Sequence, residues 1–156
     1  MIIYRQETEE YKHKLTLLAK EALETIEKMP PPVIQFCGPI STGGFGSVSY
    51  NIDCLVSLIN EGSKRRLSVF NQISFERRLD KVLENHFEYD YPLLDYFYKP
   101  ILSSGKINGL IFLPLWQTSI GSTWEHDFAM SLGIPIFHME NMFFEEVESF
   151  YKKLKN

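Results

Sequence analysis

The stretch that decides the fold is Gly109-Leu110-Ile111-Phe112-Leu113-Pro114-Leu115-Trp116-Gln117-Thr118-Ser119-Ile120-Gly121-Ser122-Thr123-Trp124-Glu125. Leu110 to Leu113 is a short, wholly apolar run, the pattern of a strand buried on both faces. A polar loop follows, then a helix from about Ser122 to Leu132 that Gly133 stops. Ile134-Pro135-Ile136-Phe137 begins a further strand, with Pro135 keeping it near a strand start or a sheet edge. Strand, loop, helix and strand in that order make one unit of a parallel sheet.

The same grammar runs outward along the chain. Residues 5–28 carry Tyr11, Leu15, Leu18, Ala19, Ala22, Leu23 and Ile26 at helical spacing, and Pro30-Pro31-Pro32 ends that helix. Val33 to Cys37 is a buried strand. Gly38 to Gly46, with four glycines and a proline, is a loop, and a helix runs from about Ser47 to Gly62. Leu67 to Asn71 is a second strand. Residues 74–85 and 91–104 are helical, and a closing helix spans 141–155, acidic early and basic late as the helix dipole favours. The expected fold is α/β, with a mostly parallel sheet of about five strands, helices on both faces and an added N-terminal helix, all in one domain over residues 1–156.

Composition narrows the function. A net charge of −4 over 156 residues argues against nucleic-acid or anionic-membrane binding by bulk electrostatics. The first residues lack the basic and apolar regions of a signal peptide, and no apolar run nears the roughly 20 residues of a membrane span. Cys37 and Cys54 lack metal-ligand spacing and read as small hydrophobes of a reducing cytosol. His13, His86, His126 and His138 form no recognisable ligand set. No metal, cofactor, nucleic-acid or membrane partner is expected, and a cytoplasmic location is.

In parallel sheets ligands bind beyond the carboxyl ends of the strands, where the strand order reverses. The loops 38–47 and 114–125 are therefore the candidate site. The first follows a strand and opens a helix, so its amides suit an anion. It lacks the Lys-Ser/Thr pair of a P-loop and the spacing of a dinucleotide fingerprint. In the second loop, Ser122-x-x-Glu125 reads as a capping box, with Glu125 in the first helical turn. The same placement aims a carboxylate at the crevice. Trp124 reads as core packing with Phe128 and Leu132, and Trp116 as a wall for a planar base. Asn51, Asn71, Gln72, Asp90, Asp95 and Asp127 read as solvated or capping residues near element ends.

Phe36-Cys37-Gly38-Pro39-Ile40-Ser41, together with Ile111 through Glu125 and on to Gly133-Ile134-Pro135, resembles the nucleoside 2-deoxyribosyltransferase superfamily, which includes nucleoside 5′-monophosphate N-glycosidases. The resemblance spans residues 33–138. It implies a flavodoxin-like fold and cleavage of a base–sugar bond, with Glu125 attacking the anomeric carbon to form a glycosyl ester, as in retaining glycoside chemistry. Asp95 is the matched candidate for the acid that protonates the departing base. Ser119 stands where the transferases carry aspartate and the monophosphate hydrolases carry serine, which implies a 5′-phosphate held by Ser119, Gly38, Ser41 and Gly43. Pro39, Ile40, Trp116, Gly121 and Ser122 complete the implied substrate-binding set. Sites of the family often borrow residues from a neighbouring subunit, so a homodimer or larger homo-oligomer is implied, with a small nucleoside or nucleotide as partner.

Three other readings stand beside this one. The first is a base-exchanging deoxyribosyltransferase. The second is the lysine-decarboxylase-like phosphoribohydrolases, whose Gly-to-Glu gap is matched by Gly121 and Glu125 but whose paired glycines are replaced here by Thr118-Ser119. The third is a nucleotide-binding module without turnover.

Overall fold

The computed structural model describes residues 9–40, 43–80, 91–141 and 143–156. In order, these form α1 (Glu9–Glu27), β1 (Ile34–Cys37), α2 (Val48–Lys64), α3 (Ile73–Asp80), α4 (Tyr91–Leu93), a π turn (Leu94–Tyr98), α5 (Lys99–Ser103), β2 (Gly109–Phe112), α6 (Ile120–Leu132), β3 (Ile136–His138) and α7 (Phe144–Leu154). The expected helix residues 5–8 and 81–85 lie outside the described residues, as do Asp90 and His86.

The sheet is parallel throughout. β1 pairs with β2 from Ile34↔Gly109 to Cys37↔Phe112, and β2 pairs with β3 from Leu110↔Ile136 to Phe112↔His138. Val69 adds a fourth position through one parallel bridge to Ile34. There the Ile34 amide donates to Ser68 O and the Phe70 amide to Ile34 O, both at 2.9 Å. The described sheet thus has four strand positions where about five were expected. The strand expected over 67–71 contracts to that single bridge, because Asn71 already caps α3: its Oδ1 accepts from the Ser74 amide at 3.3 Å. β3 starts two residues later than its apolar pattern suggests. Pro135 precedes it, offers only its carbonyl to the Leu110 amide at 3.0 Å, and has no N–H to pair.

Across the sheet the order is Val69, β1, β2, β3. The chain's second strand position therefore lies on one side of β1 and its third and fourth on the other. The strand order reverses between β1 and β2, which is where α/β sheets open a ligand crevice.

Helices cover both faces because the strands are apolar on both. Ile34, Phe36, Ile111 and Leu113 pack with Leu55, Leu58 and Ile59 of α2 and Val147 and Tyr151 of α7. Cys37, Leu110 and Phe112 pack on the opposite face with α1, the Leu94–Leu102 segment and Ala129 of α6. α1 contributes Tyr11, Leu15, Ala19, Ala22 and Ile26, spaced three or four apart. Gly62 lets α2 approach closely, since a Cβ there would sit 2.8 Å from Val69 Cγ2.

One buried hydroxyl ties the last helix to the sheet edge. Tyr151 Oη donates to Pro32 O at 2.8 Å and accepts from the Ser68 amide at 3.3 Å. Tyr151→Phe strands both backbone groups away from water. Urea unfolding of that variant should show a loss of about 1–3 kcal/mol, the cost of unsatisfied buried polar groups; an unchanged midpoint would mean water reaches them.

Candidate active site

The carboxyl ends of β1 and β2 lead into the loops that close over the reversal point, and Glu125 lies beneath them. α6 begins at Ile120, with Ser119 as its N-cap: the Ser119 hydroxyl accepts from the Ser122 amide at 3.2 Å. Ser122 is therefore not the cap, and Glu125 falls in the second turn, where it faces the sheet and satisfies no helix-end amide. The capping-box expectation is replaced by a buried carboxyl, 8% exposed.

Its partners come from β1. Glu125 Oε2 accepts from Gln35 Nε2 at 2.8 Å and from the Cys37 thiol at 3.4 Å. Burial pushes the Glu125 carboxyl up to about 8, and the charge of Glu76 adds to that. The Cys37 and Gln35 donors act the other way by stabilising the anion. Burial, with Glu125 beside it, also lifts the Cys37 thiol well above its ordinary value, so it remains S–H. Gln35 Oε1 and Ser122 Oγ are buried with no hydrogen-bond partner among the described residues.

Three residues at this site had no sequence reading as site residues: Gln35, Glu76 and Tyr98. Gln35 was one letter inside an apolar strand, where only the cost of burying an unpaired amide marks it. Glu76, on α3, accepts from the Tyr98 hydroxyl. The π turn closes with the Lys99 amide on Leu94 O, and such turns recur at functional sites. Asp95 lies on that turn but is exposed.

The two loops are stitched together. Thr118 Oγ1 accepts from the Gly44 amide at 2.8 Å. Asn51, buried rather than solvated, accepts from the Phe45 amide at 2.9 Å and donates to Ile40 O and Gly43 O, both at 3.1 Å. Gly43 is required: its φ is +66°, and a Cβ would lie 2.1 Å from Thr118 O. Gly38 packs on Leu113, and Pro39 is buried beside it. The amides of Gly44 and Phe45 are thus already paired with protein oxygens. Ser119, expected to reach a phosphate, is 4% exposed and spends its hydroxyl on the cap. Gly121 is buried in the first turn of α6. Ser41 lies outside the described residues.

Trp116 turns toward β3. Its ring stacks on His126 at 4.2 Å between centroids and lies 5.5 Å from His138, with Phe112 edge-on. His126 Nε2 and His138 Nε2 are 2.9 Å apart. The ring centroids are 5.1 Å apart, so the nitrogens face each other along a hydrogen bond and do not converge on a common ion. Among the described residues no three metal-type ligands cluster. Trp124, half buried, stacks on Phe128 at 5.0 Å against the edge of the core, while Leu132, expected to pack with them, is exposed.

No protein-family model, curated protein or solved structure matches the chain. No helix among the described residues is long and apolar enough to cross a membrane.

The raised Glu125 carboxyl has a consequence for stability. Its folded value lies above the unfolded 4.5, so the folded protein keeps a proton that the unfolded chain releases between about pH 4.5 and 8. The stabilisation is full below that window and is lost as pH rises through about 8. Glu125→Gln carries no such proton. Urea titrations from pH 5 to 9 should show the wild type losing more than about 2 kcal/mol relative to this variant. Parallel curves would rule out the buried neutral carboxyl.

Proposed function

We propose that the protein cleaves the N-glycosidic bond of a (deoxy)nucleoside or nucleoside 5′-monophosphate, on a flavodoxin-like three-layer fold, with Glu125 as nucleophile. The observation that carries this reading is the carboxyl of Glu125, buried at the strand-order reversal and held by Gln35 and Cys37. In the reaction a Glu125 oxygen attacks the anomeric carbon and the carbon–nitrogen bond breaks. The base leaves with the bonding pair and takes up a proton. Water then cleaves the glycosyl ester and restores the carboxylate. A carboxylate donated to by an amide and a thiol is oriented before substrate arrives, and a cationic sugar in the transition state favours its ionised form.

Two carboxyls compete for the role of acid. Asp95 is the one the resemblance names. Glu76 has the better support, since its charge reaches Glu125 while Asp95 is exposed. Substrate binding is assigned to Gly38, Pro39, Ile40, Ser41, Gly43, Gly121 and Ser122, with Gly38, Ser41 and Gly43 toward a 5′-phosphate and Ser122 Oγ lacking a partner among the described residues. Trp116 and Ser119 have weaker support as binding groups, given the imidazole stack and the cap. Exposed Phe45, Val48 and Tyr50 beside the glycine loop support a homodimer or larger homo-oligomer.

Incubation with a panel of nucleosides and their 5′-monophosphates, followed by chromatography for free base, tests the reading. Wild type should release base, and Glu125→Ala should lose roughly three orders of magnitude or more of the rate. Release unaffected by that substitution removes Glu125 as nucleophile. Because the nucleophile must be ionised, kcat/KM should climb with pH to a plateau above about 8; a profile falling over that range would make Glu125 a proton donor. Glu76→Gln should lower kcat more than Asp95→Asn does. Supplying a second free base separates exchange from hydrolysis.

A further inference from the structure

At the opposite, amino end of β1, away from Glu125, lies a second polar cleft of about 420 Å³. It is bounded by the Met29–Pro31 turn, the segment 66–69 and the end of α7. Among the described residues two cationic side chains line it, Arg66 and Lys155, and no carboxylate does. Ser68 lines it too, and its hydroxyl, on a residue 8% exposed, has no partner among the described residues.

The neighbouring basic residue behaves differently. Arg65 is committed to Glu61 at 2.9 Å and Glu148 at 2.5 Å. Arg66 is bound to no carboxylate among the described residues and sits at φ +63°, a left-handed conformation that costs a non-glycine residue energy. That turn is fixed by the Arg66 amide on Ser63 O at 3.0 Å and the Leu67 amide on Gly62 O at 3.0 Å. The Lys155 ammonium lies 5.3 Å from the Tyr151 ring centroid, a position that keeps it at the rim of the cleft.

We propose that this cleft binds a phosphate-bearing small molecule, with Arg66, Lys155 and the Ser68 hydroxyl as its donors. A planar guanidinium, a point charge and a neutral hydroxyl suit the several oxygens of a phosphoryl group. Met29, Pro30, Pro31, Leu67 and Val69 give the cleft an apolar side, while the hydroxyls of Ser63 and Tyr151 are already bonded to backbone groups, so the ligand carries an organic body beyond its phosphate. The site is independent of the chemistry at Glu125, since it stands at the other end of the strand and shares no residue with it.

Titration of the full chain with inorganic phosphate and with phenyl phosphate, at constant ionic strength, tests this. Amide chemical shifts in NMR spectra report which end of the sheet responds. Phenyl phosphate should bind saturably, at least threefold tighter than inorganic phosphate, and should shift residues 29–31 and 66–69. Arg66→Ala, an exposed substitution that leaves the core intact, should weaken binding at least fivefold. Ser68→Ala should weaken it with thermal unfolding unchanged. Absence of saturation, equal affinity of the two probes, shifts confined to the 38–47 loop, or indifference to Arg66→Ala would each overturn the proposal.

Discussion

A carboxyl taken out of water needs donors, and the donors available to Glu125 are on the central strand. Gln35 and Cys37 alternate along β1, so both point to the face that α6 covers. The contact fixes the rotation of α6 over the sheet: Glu125 and Ala129, one turn apart, face inward, while Trp124, Thr123 and His126 are only half buried. It also explains why a strand with Ile34 and Phe36 on one face tolerates an amide on the other. Replacing Gln35 with an apolar residue would leave the carboxyl with only a thiol. Replacing Glu125 would leave a buried amide with only a weak sulfur contact at 3.6 Å. Each residue is tolerable because of the other.

The loops above obey a second constraint, close approach. Thr118 comes near enough to the glycine loop that position 43 has no room for a Cβ. Asn51, one turn into α2, closes the loop by bonding its amides and carbonyls together. The glycine run therefore serves the fit between two protein segments as much as any ligand. Part of the loop's polarity is consumed internally, so an anion arriving there would have to compete with Thr118 and Asn51 for the amides of Gly44 and Phe45.

Much of the architecture was legible because period and punctuation are local. The triple proline, the apolar run at 110–113 and the Gly133 stop mark boundaries that the structure places within one or two residues. The sheet width was not, because Leu67 to Asn71 has strand composition but its pairing is decided by Asn71 and Tyr151, one of them over eighty residues away. The helix starts at Ile120 and not at about Ser122 for a related reason: Ser119 and Ser122 are both good caps, and only the Ser119 backbone, with φ −107° and ψ 131°, is extended. Glu125 was legible as a chemical residue. Its environment was not, since Gln35 lies ninety positions earlier and nothing in a lone glutamine announces a partner. The histidine pair was likewise invisible: His126 and His138 lie on different elements and meet only because β3 runs parallel to β2 beneath α6.

The opposite ends of β1 therefore differ in kind. At the carboxyl end, an acid is buried beside an amide and a thiol, and its ionisation is set by burial more than by any counter-charge. At the amino end, the helices α2 and α7 finish, and their last turns carry Lys64, Lys152 and Lys153 as the dipole favours. Some of that positive charge is neutralised locally, as at Arg65, and some is not, as at Arg66. A net charge of −4 is thus a sum over the chain that does not set the charge at either end. A small molecule approaching either end meets the residues placed there, so its selection is set by those groups rather than by overall charge.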